Sequence, residues 1–458
     1  MNCRLGVQSQ ALWLSVVALF SGFLTGCGSN SSGPATSTVV NNTATVTAGF
    51  GPNGPSGVIV NGLFTTVTVC QHGSTTCVSI PDVQVDTGSV GLRLLPSALG
   101  TVMLTPIAVS GSPLEECIQY GDTSYSWGPM ELADVQIAGE RAAGIAVQVL
   151  GGVTPMVPPS ASSPASNGAY CLTNPVNPNL PNGGNEDTLA SLGANGILGI
   201  GNFVFDCGSG CTSQPLSFTQ GYPYYICPNG TCQGVGVPTP DQAENPIAAF
   251  GSLDNSGVAI TLPVVPPGGS GSVSGTMNFG IGTRSNNNLG NAKVFALDQC
   301  GSLPTVTFNN VSYSDTSCTQ NGSGLGGYFD TGSNALYVSD AATLASEGIP
   351  ISDCAQGTAG VNFYCVTGGG TATLSNINLL GYLGVGSGTI TLNINDATTL
   401  FKTNNAVFND LGSDSGTSIS TDFFDMGMPF FLGKTVFVGI EGQSTPVGIS
   451  APNGFVAF

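Results

Sequence analysis

The tetrapeptide Asp-Thr-Gly-Ser occurs twice, and this repeat constrains the fold of the chain more than any other feature. Asp86-Thr87-Gly88-Ser89 and Asp330-Thr331-Gly332-Ser333 each follow a short apolar segment and run into further apolar residues. Each copy predicts a strand, a tight turn that carries a carboxylate, and a second strand. The alternative is two unrelated polar turns. Two unrelated turns would rarely both continue with Ser and both be flanked by apolar residues. We therefore expect one pair of carboxylates assembled from two related lobes.

The composition predicts an all-β protein. Gly accounts for 67 and Pro for 29 of the 458 residues, and short alternating runs recur at 65–69, 389–394 and 434–438. No sustained apolar spacing of three and four residues marks several long helices. The expected helices are short, for example around Thr188–Leu192 and Asp340–Ser346.

The charge balance argues against a nucleic-acid partner. The chain has 26 acidic and 7 basic residues, a net charge of −19, and no Lys/Arg cluster that would neutralise phosphates. Two explanations of the acidity stay open. It favours solubility of an exported protein, and it also suits a protein that works at low pH.

The N-terminus has the pattern of an export signal. Arg4 supplies the positive end and Ala11–Leu24 the apolar region of a signal peptide over residues 1–26. Leu24-Thr25-Gly26-Cys27 resembles a bacterial lipobox, which would make Cys27 the lipidated first residue and residues 27–49 a flexible tether. The alternative is an ordinary signal peptide with an incidental Cys. We expect an exported protein anchored in the cell envelope by a lipid on Cys27, in the outer membrane because Gly28 is not the Asp linked to inner-membrane retention.

The cysteine count agrees with export. Without Cys3 and Cys27, 14 cysteines become 12, an even number. Close spacing suggests disulfides in an oxidising compartment, with other connectivities and a zinc site as the alternatives. The suggested pairs are Cys70/Cys77, Cys207/Cys211, Cys227/Cys232, Cys300/Cys318 and Cys354/Cys365, with Cys117/Cys171 left by elimination.

The single histidine limits which catalytic mechanisms the chain can use. His72 lies in a short segment between Cys70 and Cys77, and we interpret it as a loop residue. A Ser-His-Asp or Cys-His system would need this one residue, and no Gly-x-Ser-x-Gly turn supports one. No metal site or cofactor is expected, so carboxylates are the natural catalytic groups.

An apolar-apolar-Gly segment follows each Asp at nearly equal distance. The first is Ile197-Leu198-Gly199, and the second is predicted within Phe430-Phe431-Leu432-Gly433. An apolar strand would pass the Asp-bearing loop there, and Gly would let the two backbones approach closely. The repeat is therefore on the scale of a lobe.

With these motifs, residues of about 60–458 resemble the pepsin-like aspartic proteases, as an uncharacterised bacterial lipoprotein branch. Gln119-Tyr120-Gly121-Asp122 resembles the flap hairpin of that family. The resemblance implies a bilobal, pepsin-like all-β fold, with two related β-barrel-like lobes and the cleft between them. The lobes would be residues 50–235, with Asp86 and the flap, and residues 236–458, with Asp330.

The resemblance also implies roles for the repeated residues. Asp86 and Asp330 would be the catalytic pair and share one proton, as the two carboxylates of pepsin do. Thr87 and Thr331 would hydrogen-bond the opposite loop. Gly88 and Gly332 would permit the tight turns and offer N–H groups, and Ser89 and Ser333 would hydrogen-bond the outer carboxylate oxygens. Tyr120 and Gly121 would close over substrate.

Three features depart from the family pattern. The flap lacks the usual second early Gly, which predicts a stiffer or more occluding hairpin. Asp122 is either a solvated turn residue or a charge that raises the pKa of the pair. The Cys-rich stretch Asp206–Cys232 is interpreted as an insertion or an elaborated connection between lobes.

The functional hypothesis is an aspartic endopeptidase of the cell envelope that acts on a peptide or protein substrate as a monomer. The alternative is a catalytically inactive lipoprotein of the same fold that binds peptides or glycans at the cell surface.

Overall fold

The structure is a computed structural model, and it describes residues 41–56, 59–121, 124–151, 184–213, 223–314, 326–415, 423–443 and 451–458. The predicted signal peptide, Cys27 and residues 27–40 of the predicted tether lie outside the described residues. The last part of the predicted tether does not match the prediction of a flexible segment, because Thr43–Gly49 is a β-strand. This segment alternates Thr with Val or Ala, and Ala44, Val46 and Ala48 are buried.

Strands dominate both halves of the chain. The strands of the first half are β1 (Thr43–Gly49), β2 (Gly62–Gln71), β3 (Cys77–Asp86), β4 (Val90–Leu94), β5 (Thr105–Pro106), β6 (Ala108–Val109), β7 (Ser112–Gln119), β8 (Tyr125–Ile137), β9 (Glu140–Val149), β10 (Gly196–Ile200), β11 (Tyr224–Ile226) and β12 (Gln233–Gly234). Those of the second half are β13 (Gly257–Thr261), β14 (Val273–Phe279), β15 (Val294–Ala296), β16 (Thr305–Phe308), β17 (Val311–Ser314), β18 (Gly327–Asp330), β19 (Leu336–Val338), β20 (Ile351–Asp353), β21 (Tyr364–Val366), β22 (Thr371–Leu380), β23 (Ser387–Asn395), β24 (Gly412–Asp414), β25 (Phe424–Gly427), β26 (Thr435–Gly439) and β27 (Phe455–Ala457).

Helices in the described residues are short. The α-helices are α1 (Pro96–Leu99), α2 (Leu189–Leu192), α3 (Ala341–Ser346), α4 (Ala397–Leu400) and α5 (Met428–Phe431). The 3₁₀ turns are Gly54–Ser56, Gly208–Cys211, Pro228–Gly230, Thr239–Asp241, Ser285–Asn287, Tyr382–Gly384 and Phe401–Thr403. Both predicted helices are confirmed, because the Thr188 and Asp340 side chains cap α2 and α3 by accepting hydrogen bonds from the third residue of each helix. None of the helices in the described ranges has the length and apolar character that crossing a membrane requires.

One sheet joins the two halves. Strand β1 pairs antiparallel with β2 of the first half and with β14 of the second. Strand β14 pairs with β13, and β13 in turn pairs with β26. The core side chains come from alternating positions, as in β2, where Val67 and Val69 are buried while Thr66 is exposed. The shared sheet fixes the two halves relative to each other.

Each half repeats the same local topology around its Asp-Thr-Gly-Ser turn. In the first half, β10 runs parallel to β3 and antiparallel to β4, with Gly199 opposite Asp86. In the second half, β25 runs parallel to β18 and antiparallel to β19, with Gly427 opposite Asp330. The predicted all-β, bilobal, pepsin-like fold is confirmed by this internal repeat. The predicted lobe bounds at residues 50–235 and 236–458 stay a prediction.

The predicted partner strand of Asp330 is wrong. The sequence pattern placed it within Phe430–Gly433, whereas the strand beside Asp330 is β25, with the sequence Phe-Asp-Met-Gly. Phe430 and Phe431 belong to α5, and Gly433 forms the turn into β26 with φ +76°. Strand β25 carries Asp425 where the first half carries Ile197, so the apolar-apolar-Gly pattern matched the next apolar segment along the chain.

Four of the predicted disulfides are present in the described residues. They are Cys70–Cys77, Cys207–Cys211, Cys227–Cys232 and Cys354–Cys365. Cys117 and Cys300 are also disulfide-bonded, and their predicted partners, Cys171 and Cys318, lie outside the described residues. Such a set of disulfides is typical of proteins exported to an oxidising compartment.

Candidate active site

The two Asp-Thr-Gly-Ser turns meet across the two halves. Asp86 is the last residue of β3 and Asp330 the last residue of β18. Gln84 on β3 reaches across and donates through Nε2 to the carbonyl oxygen of Gly332 at 3.2 Å. The structure therefore brings together the two carboxylates that the sequence singled out.

The Asp86 carboxylate is held by its own turn. The Gly88 N–H donates to Asp86 Oδ1 at 2.8 Å, and the Ser89 hydroxyl makes a short hydrogen bond to Asp86 Oδ2. Both bonds favour a fixed orientation of the carboxylate, because the two oxygens have different partners. Asp86 is 8% exposed.

The Asp330 carboxylate repeats this arrangement. The Gly332 N–H donates to Asp330 Oδ1 at 2.7 Å, and the Ser333 hydroxyl donates to Asp330 Oδ2 at 2.8 Å. The Gly88 N–H also donates across the halves to Asp330 Oδ1 at 3.1 Å. The predicted roles of the glycines and serines as hydrogen-bond donors match these contacts.

The two threonines lock the turns together. The Thr87 N–H donates to Thr331 Oγ1 at 3.1 Å, and the Thr331 N–H donates to Thr87 Oγ1 at 3.0 Å. Each hydroxyl donates in turn to a strand of the other half, Thr87 to the Phe329 carbonyl at 2.8 Å and Thr331 to the Val85 carbonyl at 2.7 Å. Both threonines are buried, so this symmetrical set of four bonds is sheltered from water and holds the carboxylates in place.

Glycine is required at the third position of each turn. A Cβ atom on Gly88 would lie 2.5 Å from Cγ of Asp330, and one on Gly332 would lie 2.7 Å from Cγ of Asp86. Neither distance is compatible with a side chain, so each glycine makes room for the carboxylate of the opposite half.

The two carboxylates share one hydrogen-bond donor, the Gly88 N–H. Withdrawal from water, the negative charges of Asp86 and Asp425, and a hydrogen bond with Asp86 raise the pKa of Asp330 well above its ordinary value, against a smaller lowering by Ser333. The raised pKa favours a proton on Asp330, so the arrangement can supply Asp330 as an acid and the facing carboxylate as a base.

The flap residues Tyr120 and Gly121 follow directly on β7. The Tyr120 hydroxyl hydrogen-bonds the Ser126 hydroxyl at 2.8 Å, and its ring packs against a cluster that includes Leu95 and Ile197. Burial raises the pKa of Tyr120, so its phenol is neutral. Asp122, interpreted above as either a solvated turn residue or a charge near the pair, lies outside the described residues.

The Cys-rich stretch adds a strand to the flap hairpin. Strand β11 pairs antiparallel with β7, with Tyr224 opposite Glu116. The ring of Tyr225 on β11 lies 5.4 Å from the ring of Trp127 on β8. The sequence predicted an insertion or an elaborated connection between lobes, and the structure shows that part of this stretch pairs with the flap strand β7.

Two further groups near the site were missed by sequence reasoning. Asp425 on β25 is buried beside Asp330, and an acidic residue within a four-residue strand gives no recognisable signal. Arg93 on β4 is fully buried and donates through Nη2 to Glu116 Oε1 at 2.7 Å, which ties the strand after the Asp86 turn to the flap strand β7. Arg93 stands between two leucines in a chain with 7 basic residues, and this sequence feature could have indicated a buried arginine.

Other predicted site features are not tested or form no site. Cys27, the predicted lipidation site, lies outside the described residues. His72 is a loop residue, as predicted, and its Nδ1 lies 2.8 Å from Oδ1 of Asp134. Within the ranges that the structure describes, no group of three or more His, Cys, Asp or Glu side chains is arranged to hold a metal ion.

The comparisons with known proteins extend over nearly the whole range of residues that the structure describes. A family model described as "Protein of unknown function (DUF3443)" matches residues 38–458. No curated protein matches the sequence. Among solved structures, the aspartic proteinase from Irpex lacteus is similar with a TM-score of 0.45 and 14% sequence identity, over 91% of this chain and 96% of that chain.

Proposed function

The chain belongs to the family described as "Protein of unknown function (DUF3443)", and we propose from its own site that it is an aspartic endopeptidase. A water held between Asp86 and Asp330 would hydrolyse peptide bonds. The observation that carries this proposal is the pair of carboxylates that share the Gly88 N–H as a donor and are locked by Thr87 and Thr331.

The proposed reaction assigns different roles to the two carboxylates. Asp86 accepts a proton from the water while the water oxygen bonds to the carbonyl carbon, and Asp330 gives its proton to the carbonyl oxygen. The product is a tetrahedral diol. Return of a proton from Asp86 to the amide nitrogen and of a diol proton to Asp330 breaks the C–N bond and releases a carboxylic acid and an amine. No covalent intermediate and no cofactor are needed.

The substrate would be an extended peptide or protein segment. Gly88 is exposed between the two carboxylates, and Tyr120 and Gly121 on the flap would cover the substrate and exclude water from the reacting atoms. The acidity of the whole chain, with a net charge of −19, favours substrates that are not strongly acidic.

The alternative function is binding without cleavage. The observation that favours it is the strand β11, which packs on the outer strand of the flap and would restrict its opening. In that case the protein would hold a peptide or a glycan under a stiff flap.

We also propose that the protein acts as a monomer in the cell envelope, anchored by a lipid on Cys27 in the outer membrane. The disulfides support export, and the tetrapeptide ending at Cys27 supports the anchor. Metabolic labelling with a fatty acid, compared between the natural chain and Cys27→Ala, tests this part separately.

Incubation of the purified chain with denatured casein from about pH 3 to about pH 7, with and without pepstatin, tests the proposed activity. We expect cleavage that pepstatin blocks and that falls by about 10³-fold or more in Asp86→Asn and in Asp330→Asn. Asp353→Asn, which changes an exposed carboxylate on β20, is the matched control and should cleave normally. Absence of cleavage at every pH, together with retained peptide binding, would establish the alternative.

A further inference from the structure

Asp425 is a third carboxylate at the catalytic pair. It lies on β25, two residues before Gly427, which is opposite Asp330. Alternate residues of a strand face the same side, so Asp425 faces the side on which Asp330 stands. The corresponding residue of the first half is Ile197, two residues before Gly199.

The side chain of Asp425 is buried and incompletely hydrogen-bonded. Asp425 is 6% exposed, and its Oδ1 has no hydrogen-bond partner among the described residues. The nearby Ser333 hydroxyl donates to Asp330 Oδ2 at 2.8 Å. A buried charge without full hydrogen bonding is costly, so this carboxyl is more stable neutral.

The proton of Ser333 is committed to Asp330. A serine hydroxyl has one proton to donate, and Ser333 donates it to Asp330 Oδ2 at 2.8 Å. While it does so, it has no second proton for Asp425, whose Oδ1 has no hydrogen-bond partner among the described residues.

The charges and titratable groups around Asp425 act in the same direction. Burial and the negative charge of Asp86, against a lowering by Ser333, raise the pKa of Asp425 to about 7. Asp330 and Tyr328 face it from β18, and Tyr337 is opposite it on β19. Helix α5, which follows β25, contains no titratable residue.

We propose that Asp425 is a positioning residue that keeps the shared proton on Asp330 and extends the singly protonated state of the pair toward neutral pH. This inference rests on the proposed proteolytic function. The singly protonated pair already carries one negative charge, so loss of one further proton from the three carboxyl groups leaves two, which separate best on Asp86 and Asp425. Asp330 therefore retains its proton until a third charge must form. A pair with Ile at this position would lose the proton at lower pH.

The pH dependence of kcat/KM in Asp425→Asn and Asp425→Ile tests the proposal. Both variants remove the charge, while Asn keeps a polar side chain of the same size and Ile copies the first half of the molecule. We expect the alkaline limb to move to lower pH by about one unit or more in both variants, with the acid limb unchanged. Asp410→Asn, which removes a buried carboxylate on the segment before β24, is the matched control and should leave the limb in place. An alkaline limb that stays or moves upward in the Asp425 variants would overturn the proposal.

An infrared titration of the protonated carboxyl band separates this proposal from the proposed function. In the natural chain, we expect protonated carboxyl signal to persist toward neutral pH. Asp425→Asn should remove one such group and lower the pH at which the signal of Asp330 disappears. If no variant cleaves casein but this shift is seen, the endopeptidase proposal fails and the assignment of Asp425 holds. If the natural chain cleaves casein but the shift is absent, the endopeptidase proposal holds and the assignment of Asp425 fails.

Discussion

Each half-site holds its carboxylate with the same two hydrogen bonds from its own turn, but the half-sites differ in the strand that passes behind the carboxylate. In the first half, β10 passes Asp86 with Ile197 and Leu198, and in the second half, β25 passes Asp330 with Asp425 and Met426. The bonds within each turn therefore fix both carboxylates in the same way. The neighbouring strand makes the two carboxylates unequal, because only Asp330 has a further carboxyl beside it.

A second difference lies above the pair. The flap belongs to the first half alone, and β11 widens its hairpin to three strands. Under the two proposals above, the first half would control access to the site and the second half would control its protonation.

The largest expected effect comes from the glycines at which the two halves approach. Gly88→Ala and Gly332→Ala would each place a Cβ atom within 2.7 Å of the opposite carboxylate. We expect a loss of about 10²-fold or more in kcat/KM from either variant, because displacement of a carboxylate by about 1 Å is enough for that. Gly73→Ala is unsuitable as a control because of its positive φ, whereas Gly210→Ala, with open space around its Cβ position, should be neutral. Normal activity in both site variants would show that the halves are not packed as closely as described.

The next effect is on stability and should be equal in the two halves. Thr87→Val and Thr331→Val each keep the shape of the side chain and leave a buried N–H and a buried carbonyl of the other half without a partner. We expect each to lower the free energy of unfolding by about 2 kcal/mol. Urea denaturation measures both losses. A difference of more than about 1 kcal/mol between them would show that the two threonines do not stabilise the paired turns equally.

The pairing of β11 with the flap strand β7 should matter for the first half only. Removing the disulfide near β11 with Cys227→Ser and Cys232→Ser should cost about 2 kcal/mol by the chain-entropy relation and loosen the pairing of β11 with β7. We expect faster amide hydrogen exchange in β7.

The matched control is the disulfide between Cys354 and Cys365 in the second half. Its removal should cost about 3 kcal/mol by the same relation, because its loop is longer, and should leave exchange in β7 at the rate set by global unfolding. Equal acceleration of β7 by both changes would show that β11 does not brace the flap.

The smallest expected effect is on how the free energy of unfolding depends on pH. In the first half, burial raises the pKa of Asp134, but hydrogen bonds from His72, Arg141 and two backbone N–H groups outweigh it and hold that pKa well below its ordinary value. Its contribution is present above the ordinary value of 3.8 and is lost as the pH falls. Asp425 is the opposite case, because its raised pKa gives a contribution that is present below 3.8 and is lost as the pH rises through about 7.

We therefore expect the free energy of unfolding to be greatest near about pH 4, with slopes below about 1.4 kcal/mol per pH unit for each group. Asp425→Asn should flatten the decline above that maximum, and Asp134→Asn the decline below it. Denaturation curves at several pH values measure both slopes. A maximum at neutral pH would contradict the opposite signs assigned to the two residues.

The repeated turn could be predicted from the sequence because its chemistry is local. Asp, Thr, Gly and Ser at adjacent positions between apolar segments specify a strand, a tight turn and a strand, and the hydrogen bonds within each turn join residues two or three positions apart. The first partner strand was also found, since Ile197 and Leu198 before Gly199 form a clear apolar pattern. The second was missed because a buried carboxyl stands where the pattern requires an apolar residue.

By itself, the sequence determined that two Asp-bearing turns exist, that the chain is all-β, and that carboxylates are its natural catalytic groups. Only the tertiary structure decided that Asp425 lies beside Asp330 and that β11 lies on the flap. The physical reason is sequence separation. Asp330 and Asp425 are far apart along the chain, and so are Glu116 and Tyr224. Their approach depends on strand register and on the burial of both halves against the shared sheet, which no local pattern of residues encodes.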